Sequence, residues 1–186
     1  MQTDALDALM TWVKTHYFGK YAGKVVENKD PLAKGRLKVE VPDVYGVGVG
    51  VWALPCVPYA GADVGFKSFP EAGANVWVEF EKGDISYPVW VGFFWGDGDM
   101  PAEAGDDGNI KLWKTGSILI EIDDENQAIR ITSTNGAMLT LSADIAHEVG
   151  NASLIIDSSS VTADAGGKLE VAAMSVTVNS GALVVS

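Results

Sequence analysis

From Leu6 to Tyr17 the apolar positions Leu6, Leu9, Met10, Val13 and Tyr17 recur every three or four residues, the spacing of one face of an α-helix. Asp4 and Asp7 lie in its first turn, where they favour the helix dipole, and Gly19 marks a stop. The period then changes. Between Tyr21 and Trp95 apolar and polar residues alternate in short runs, clearest in Arg36-Leu37-Lys38-Val39-Glu40-Val41 and Val76-Trp77-Val78-Glu79-Phe80-Glu81. Strands are predicted over 24–27, 35–41, 47–54, 74–81 and 87–95, with breakers such as Asp30-Pro31 and Lys82-Gly83-Asp84 between them. Five such strands suit a small closed or nearly closed barrel. The long uncharged run from Val44 to Ala62 is broken by Pro55, Pro58 and alternating glycines, so it reads as two strands and a loop rather than a membrane span.

Beyond Trp113 the alternation continues with smaller side chains in a Ser, Thr, Ala and Asp background. Ile118/Ile120/Ile122, Ile129/Ile131, Leu139/Leu141, Leu154/Ile156, Val161/Ala163, Leu169/Val171 and Val176/Val178 each put one apolar face on a strand, and turn signals such as Asn135-Gly136 and Gly166-Gly167 fall between them. No aromatic residue occurs in the last 73 positions. Strands with one thin apolar stripe bury too little surface in a single chain to offset their ordering entropy, and they leave sheet edges bare. Identical copies wrapped around a common axis solve both problems, so a trimeric β-prism or β-helix is expected. The alternative is a second small sandwich with a core of its own.

Charge shifts at the same place as aromaticity. Residues 1–100 carry 9 basic and 13 acidic groups, residues 101–186 carry 4 and 12, and the whole chain is at −12. The Gly-, Pro- and Asp-rich run Gly96 to Gly108 separates the two. We place the N-terminal helix at 1–19, the barrel at 20–96, a linker at 97–112 and the repetitive β region at 113–186. An acidic surface repels phosphate backbones, so no nucleic-acid partner is expected, even though Trp52, Trp77 and Trp90 on a barrel are residues that stack bases elsewhere. The single cysteine, Cys56, is read as a small buried apolar residue. The acidic start, with no apolar run of signal-peptide length, leads us to expect synthesis in the cytosol.

Catalytic motifs occur in the chain only as fragments. His147-Glu148-Val149-Gly150-Asn151 begins like H-E-x-x-H but has Asn151 where the second zinc ligand belongs. Gly19 to Val25 is one residue short of a P-loop and lacks its Ser or Thr. Glu79, Glu81 and Asp84 are candidates for a glycosidase pair, but Glu79 and Glu81 alternate with apolar residues on the outer side of one strand. Asp123-Asp124-Glu125-Asn126 has a cation-binding composition without the ligand spacing of a known calcium loop. No catalytic residue, metal site or cofactor is therefore expected.

Several runs, in order, resemble one family. Gly23 to Leu32, Gly35 to Pro42, Trp52-Ala53-Leu54-Pro55, Pro58 to Gly61, Gly73 to Phe80, Gly83-Asp84 and Pro88 to Gly92 are similar to the OB-fold of contractile-tail spike proteins, among them phage baseplate assembly protein V and the VgrG spike of type VI secretion. Trp113 to Ser117, Ile120 to Asp124 and Ile129 to Ile131 with Gly136 resemble that family's lead-in to its trimeric β-helix. The resemblance implies an all-β protein: a short N-terminal helix, an OB-fold barrel, and a C-terminal intertwined trimeric β-helix or β-prism. It implies a structural, non-enzymatic central spike of a contractile tail baseplate, located in the virion or in a bacterial contractile injection particle. Its partners would be two further copies, a hub protein, and a PAAR-like tip protein at the distal end, with transient mechanical contact to the target membrane. The trimer core would be Ile118, Ile120, Ile122, Ile129, Ile131, Leu139, Leu141, Leu154, Ile156, Val161, Leu169, Val171, Val176 and Val178, and the cap interface Leu183, Val184 and Val185. The chain lacks the inserted lysozyme domain of some phage spikes, the hub domain of VgrG, and the His-x-His pair by which some short spikes hold iron. The alternative function is a trimeric tail protein that binds or cleaves a polysaccharide.

Overall fold

In the computed structural model, which describes residues 2–106, 108–179 and 183–185, the alternating runs are strands. For residues 2, 3 and 183–185 the description is of the backbone alone. The chain divides into two units, Met1–Met100 and Pro101–Ser186. In the first, the helix α1 (Gln2–Thr15) precedes strands β1 (Tyr21–Glu27), β2 (Leu37–Glu40) and β3 (Gly50–Pro55), the two-residue hairpin β4 (Ala60–Gly61) and β5 (Val64–Gly65), then β6 (Asn75–Phe80) and β7 (Pro88–Phe94).

The order β1-β2-β3-β7-β6 closes into a barrel, with every pair antiparallel except β3 with β7. Period-two alternation decides which side chains fill it: Val25, Leu37, Val39, Ala53, Val76, Val78, Phe80 and Trp90 form its core with Val41, just after β2. Gly23 is required for closure, because a Cβ there would meet the Glu40 carbonyl oxygen at 2.6 Å. Tyr17, Tyr21 and Tyr45 close one side of the core by ring contacts with Phe80. The expected strand from Val47 begins only at Gly50, because Pro42–Tyr45 forms a helical turn, α2, and Gly46 and Gly48 leave it at positive φ.

The loop between β1 and β2 is organised by Asp30. Its carboxylate accepts the backbone N–H groups of Leu32 (2.9 Å) and Lys34 (2.8 Å) and the Arg36 guanidinium at 2.7 Å, and the two side chains are 4% and 17% exposed. Arg36 lies 5.1 Å from the centroid of the Trp52 ring. The Trp90 indole N–H donates to the Gly35 carbonyl at 3.2 Å, joining the loop end to the core. Asp30-Pro31 reads in the sequence as a breaker, and in the structure it is the anchor of the loop.

The second unit is a hairpin-connected sheet: β8 (Ile110–Lys114), β9 (Ile118–Asp123), β10 (Ala128–Ser133), β11 (Ala137–Leu141), β12 (Ile145–Val149), β13 (Ala152–Ile156), β14 (Ser160–Asp164), β15 (Lys168–Ala172), β16 (Ser175–Val178) and β17 (Leu183–Val185). Spatial order is chain order and every pair is antiparallel. The turns are shaped by acidic and amide side chains that accept nearby backbone N–H groups. Asp123 accepts from Asn126 (2.9 Å), Asp157 from Ser159 (2.7 Å) and Ser160 (2.8 Å), and Asp164 from Gly166 (3.0 Å). Those bonds, with the Ser159 hydroxyl foremost, bring the Asp157 carboxyl down to about 2. The protein is therefore mostly β, with one N-terminal helix, a closed five-stranded OB-like barrel and a long antiparallel sheet.

The Arg36 hydrogen bond holds the Asp30 carboxyl well below the ordinary carboxylate range. A carboxylate lowered on folding contributes its full stabilisation above its unfolded pKa, near 4, and loses it as pH falls toward the lowered value. Asp30→Ala should lower the thermal midpoint of the barrel, followed by tryptophan fluorescence, at neutral pH. The gap to the wild type should shrink in strong acid, whereas Lys20→Ala, which removes an exposed partner of Glu79, should change little.

Candidate functional site

The first unit is built around a core and the second is not. Among the described residues of 101–186, only Ala128 and Asp123 are buried. The alternation of the sequence has instead sorted its apolar side chains onto one face. Cross-strand register lines them up in two columns. One runs Ile122, Ile129, Leu141, Ile145, Ile156, Val161, Val171, Val176. The other runs Ile120, Ile131, Leu139, His147, Leu154, Ala163, Leu169, Val178. Ile118 lies beside Ser133 at the margin. Ile118, Ile122, Ile129, Ile131, Leu141, Ile145, Leu154, Ile156, Val161, Leu169 and Val171 are each 36–44% exposed in the single chain, while Ile120, Leu139, Val176 and Val178 are half-buried.

The opposite face is largely polar. Arg130 bridges Glu121 (2.7 Å) and Asp123 (3.2 Å), Lys168 pairs with Glu170 (2.6 Å), and Thr132, Thr140, Glu148, Thr162 and Thr177 lie among them, with Leu119, Met138 and Ile155 the larger apolar side chains of β9 to β16 on this side. The Glu121 carboxylate, then that of Asp123, raises the Arg130 pKa, and the Asn126 N–H leads the bonds that lower that of Asp123. This face is complete in one chain. The apolar face is not, because carbon surface on an open sheet stays in contact with water until something covers it.

All fourteen residues expected in a trimer core thus lie on one face. Sequence reasoning missed Ile145 and Val149, which share that face on β12. The alternation Ile145, His147, Val149 carries the signal, but the resemblance of His147-Glu148 to a zinc motif obscured it. On a strand His147 and Glu148 point to opposite faces, so the helical zinc reading fails. The segment Ile110–Lys114, also missed, is β8, which presents Lys111 and Trp113 on the apolar side by register with Ile122 and Ile120. The side chains of Leu183, Val184 and Val185 lie outside the described residues; their strand pairs with Ser175–Val178.

Other candidates have partners inside the fold. Glu79 accepts from Lys20 at 2.7 Å, Asp84 from the Ser86 N–H at 2.8 Å, and the acidic turn is engaged by Asn126, Arg130 and Lys111, the last bonded to Asp124. Trp90 is in the barrel core, 3% exposed, and Trp77 packs on Phe94 with centroids 4.4 Å apart. Cys56 corrects its sequence reading. It is exposed, because after β3 the chain leaves the barrel wall there, its backbone N–H donating to the Trp90 carbonyl at 2.9 Å.

Residues 21–95 match the type VI secretion system/phage-baseplate injector OB domain. The match runs from the first residue of β1 to just past β7, the whole barrel and less than half of the chain, and agrees with the family the sequence resembles. The injector OB domain points to a spike-related structural role in a phage or type VI secretion baseplate. No curated protein matches the chain significantly.

The Cys56 thiol should react with a disulfide reagent in the folded protein at close to the rate of a small-molecule thiol, with one equivalent titrated per chain before any denaturant is added. Reaction only after unfolding would restore the buried reading.

Proposed function

We propose that the protein is the homotrimeric central spike of a contractile injection machine, seated on a hub at the end of the tail tube and driven through the target envelope on sheath contraction. The observation that carries this is the coreless sheet that follows an injector OB barrel. A face of aliphatic side chains eight strands long, from β9 to β16, backed by a polar face, matches a wall of a prism whose other walls are copies of itself. Two such sheets face to face would leave both long margins open, whereas three narrow walls enclose a filled axis. Strands of four to six residues are narrow enough for that.

The role is mechanical rather than catalytic. Each strand from β9 to β16 is hydrogen-bonded on both sides within its own chain, so thrust along the stem would be carried by continuous ladders, and assembly need only cover a face. Edge exchange between copies, which an intertwined β-helix requires, is not needed to satisfy these inner strands. The partners this reading calls for are two further copies, a hub protein and a separate tip protein, with only passing contact to the membrane. The site of action is the baseplate of a virion or of a related injection particle.

Ile120→Asp and Leu141→Asp each place three carboxylates near the common axis, at a cost of several kcal/mol per chain. Both should reduce the sedimenting species from trimer to monomer. Thr162→Lys, on the polar face opposite Glu170, should leave the trimer intact. Equal damage from Thr162→Lys would mean that the inward and outward faces are exchanged.

A further inference from the structure

From β9 to β16 the apolar face carries one ionisable side chain among the described residues, His147, in line with Leu139 of β11 and Leu154 of β13 and flanked along its own strand by Ile145 and Val149. Beside it the face is hollowed by the small residues Ala152 and Ala163 into a concavity of about 360 Å³. The charged groups nearby are committed elsewhere. Glu148 lies on the opposite face of β12; Asp164, at the rim of the concavity, accepts the Gly166 N–H at 3.0 Å and stands opposite Lys168 in register; and Lys168 is paired with Glu170 at 2.6 Å. Neither β11 nor β13 contributes a charged residue.

We propose that His147 makes the stem acid-sensitive: three imidazoles, one from each copy, meet at one level of the axis, and their protonation loosens the trimer. This rests on the trimeric reading given above. Neutral imidazoles fit such a layer, because each offers one donor and one acceptor to its neighbours or to water in the concavity. Charged ones do not, because each loses its hydration against leucine and isoleucine and repels the other two. No carboxylate shares the face to compensate. The remainder of the layer has nothing that titrates between neutral pH and mild acid, so the sensitivity is assigned to one residue.

The test is the temperature at which the full-length trimer dissociates, followed by light scattering from about pH 7.5 to about pH 5, across the ordinary imidazole range. Wild type should lose several degrees over that interval. His147→Leu and His147→Gln should remain trimeric with a much flatter profile, and His16→Gln, in the other unit, should behave as wild type. A His147→Leu trimer as acid-sensitive as wild type would overturn the inference while leaving the trimer standing. So would failure of both His147 variants to assemble at neutral pH, since neither introduces a charge. A wild-type chain that is monomeric at neutral pH would instead remove the trimeric reading itself, and the inference with it.

Discussion

A β-sheet with one apolar face has to cover it, and everything unusual about the second half of this chain follows from that constraint. Burial of carbon surface is the main favourable term in folding, worth roughly 25 cal/mol for each Å² removed from water. The barrel collects that term in its own interior, where Leu37, Val39, Val76 and Val78 are fully buried. The sheet cannot, because most of its aliphatic residues project to one side and, among the described residues, no helix or second sheet of the same unit lies over them. Each inner strand, β9 to β16, has a hydrogen-bonded neighbour on both sides while the apolar surface stays uncovered, and on the proposed reading identical copies of the chain cover it.

The two units illustrate two ways of ending a sheet. In the barrel, the parallel pairing of β3 with β7 and the close approach allowed by Gly23 remove the edges by closure. In the stem, hairpin follows hairpin, several of the turns fixed by a side chain such as Asp123, Asp157 or Asp164, and only the outer edges of β8 and β17 lack a strand neighbour among the described residues. Turns made from local hydrogen bonds demand no bulky residues, which accounts for a stem that stays regular with no aromatic residue beyond Trp113. The same turns account for much of its acidity: aspartates that read as a possible cation cluster are the acceptors that bend the chain.

Much of this was legible in the sequence because period-two alternation survives wherever one face is apolar. Ile118/Ile120/Ile122 and Ile129/Ile131 announce both their strands and their shared face, and Arg36 to Val41 and Val76 to Glu81 announce barrel walls. The misses have physical causes. In β12 a histidine replaces an aliphatic residue, so the alternation hides behind a motif. In β8 the apolar side chains Ile110 and Leu112 fall on the polar side of the sheet, which inverts the expected pattern. The helical turn Pro42–Tyr45 carries no periodicity at four residues, and the role of Asp30 depends on Arg36 folding back to it, which spacing does not reveal. Exposure of Cys56 depends on where the chain leaves the barrel, and neighbouring prolines do not encode that.

On the proposed reading, two further copies of the chain cover the apolar face of the stem. The most direct measurement is the mass of the purified protein in solution at micromolar concentration by multi-angle light scattering. A single species near three times the 19.7 kDa chain mass is expected. A stable, folded species at 19.7 kDa would contradict it, because the sheet would then persist in water with its aliphatic face uncovered.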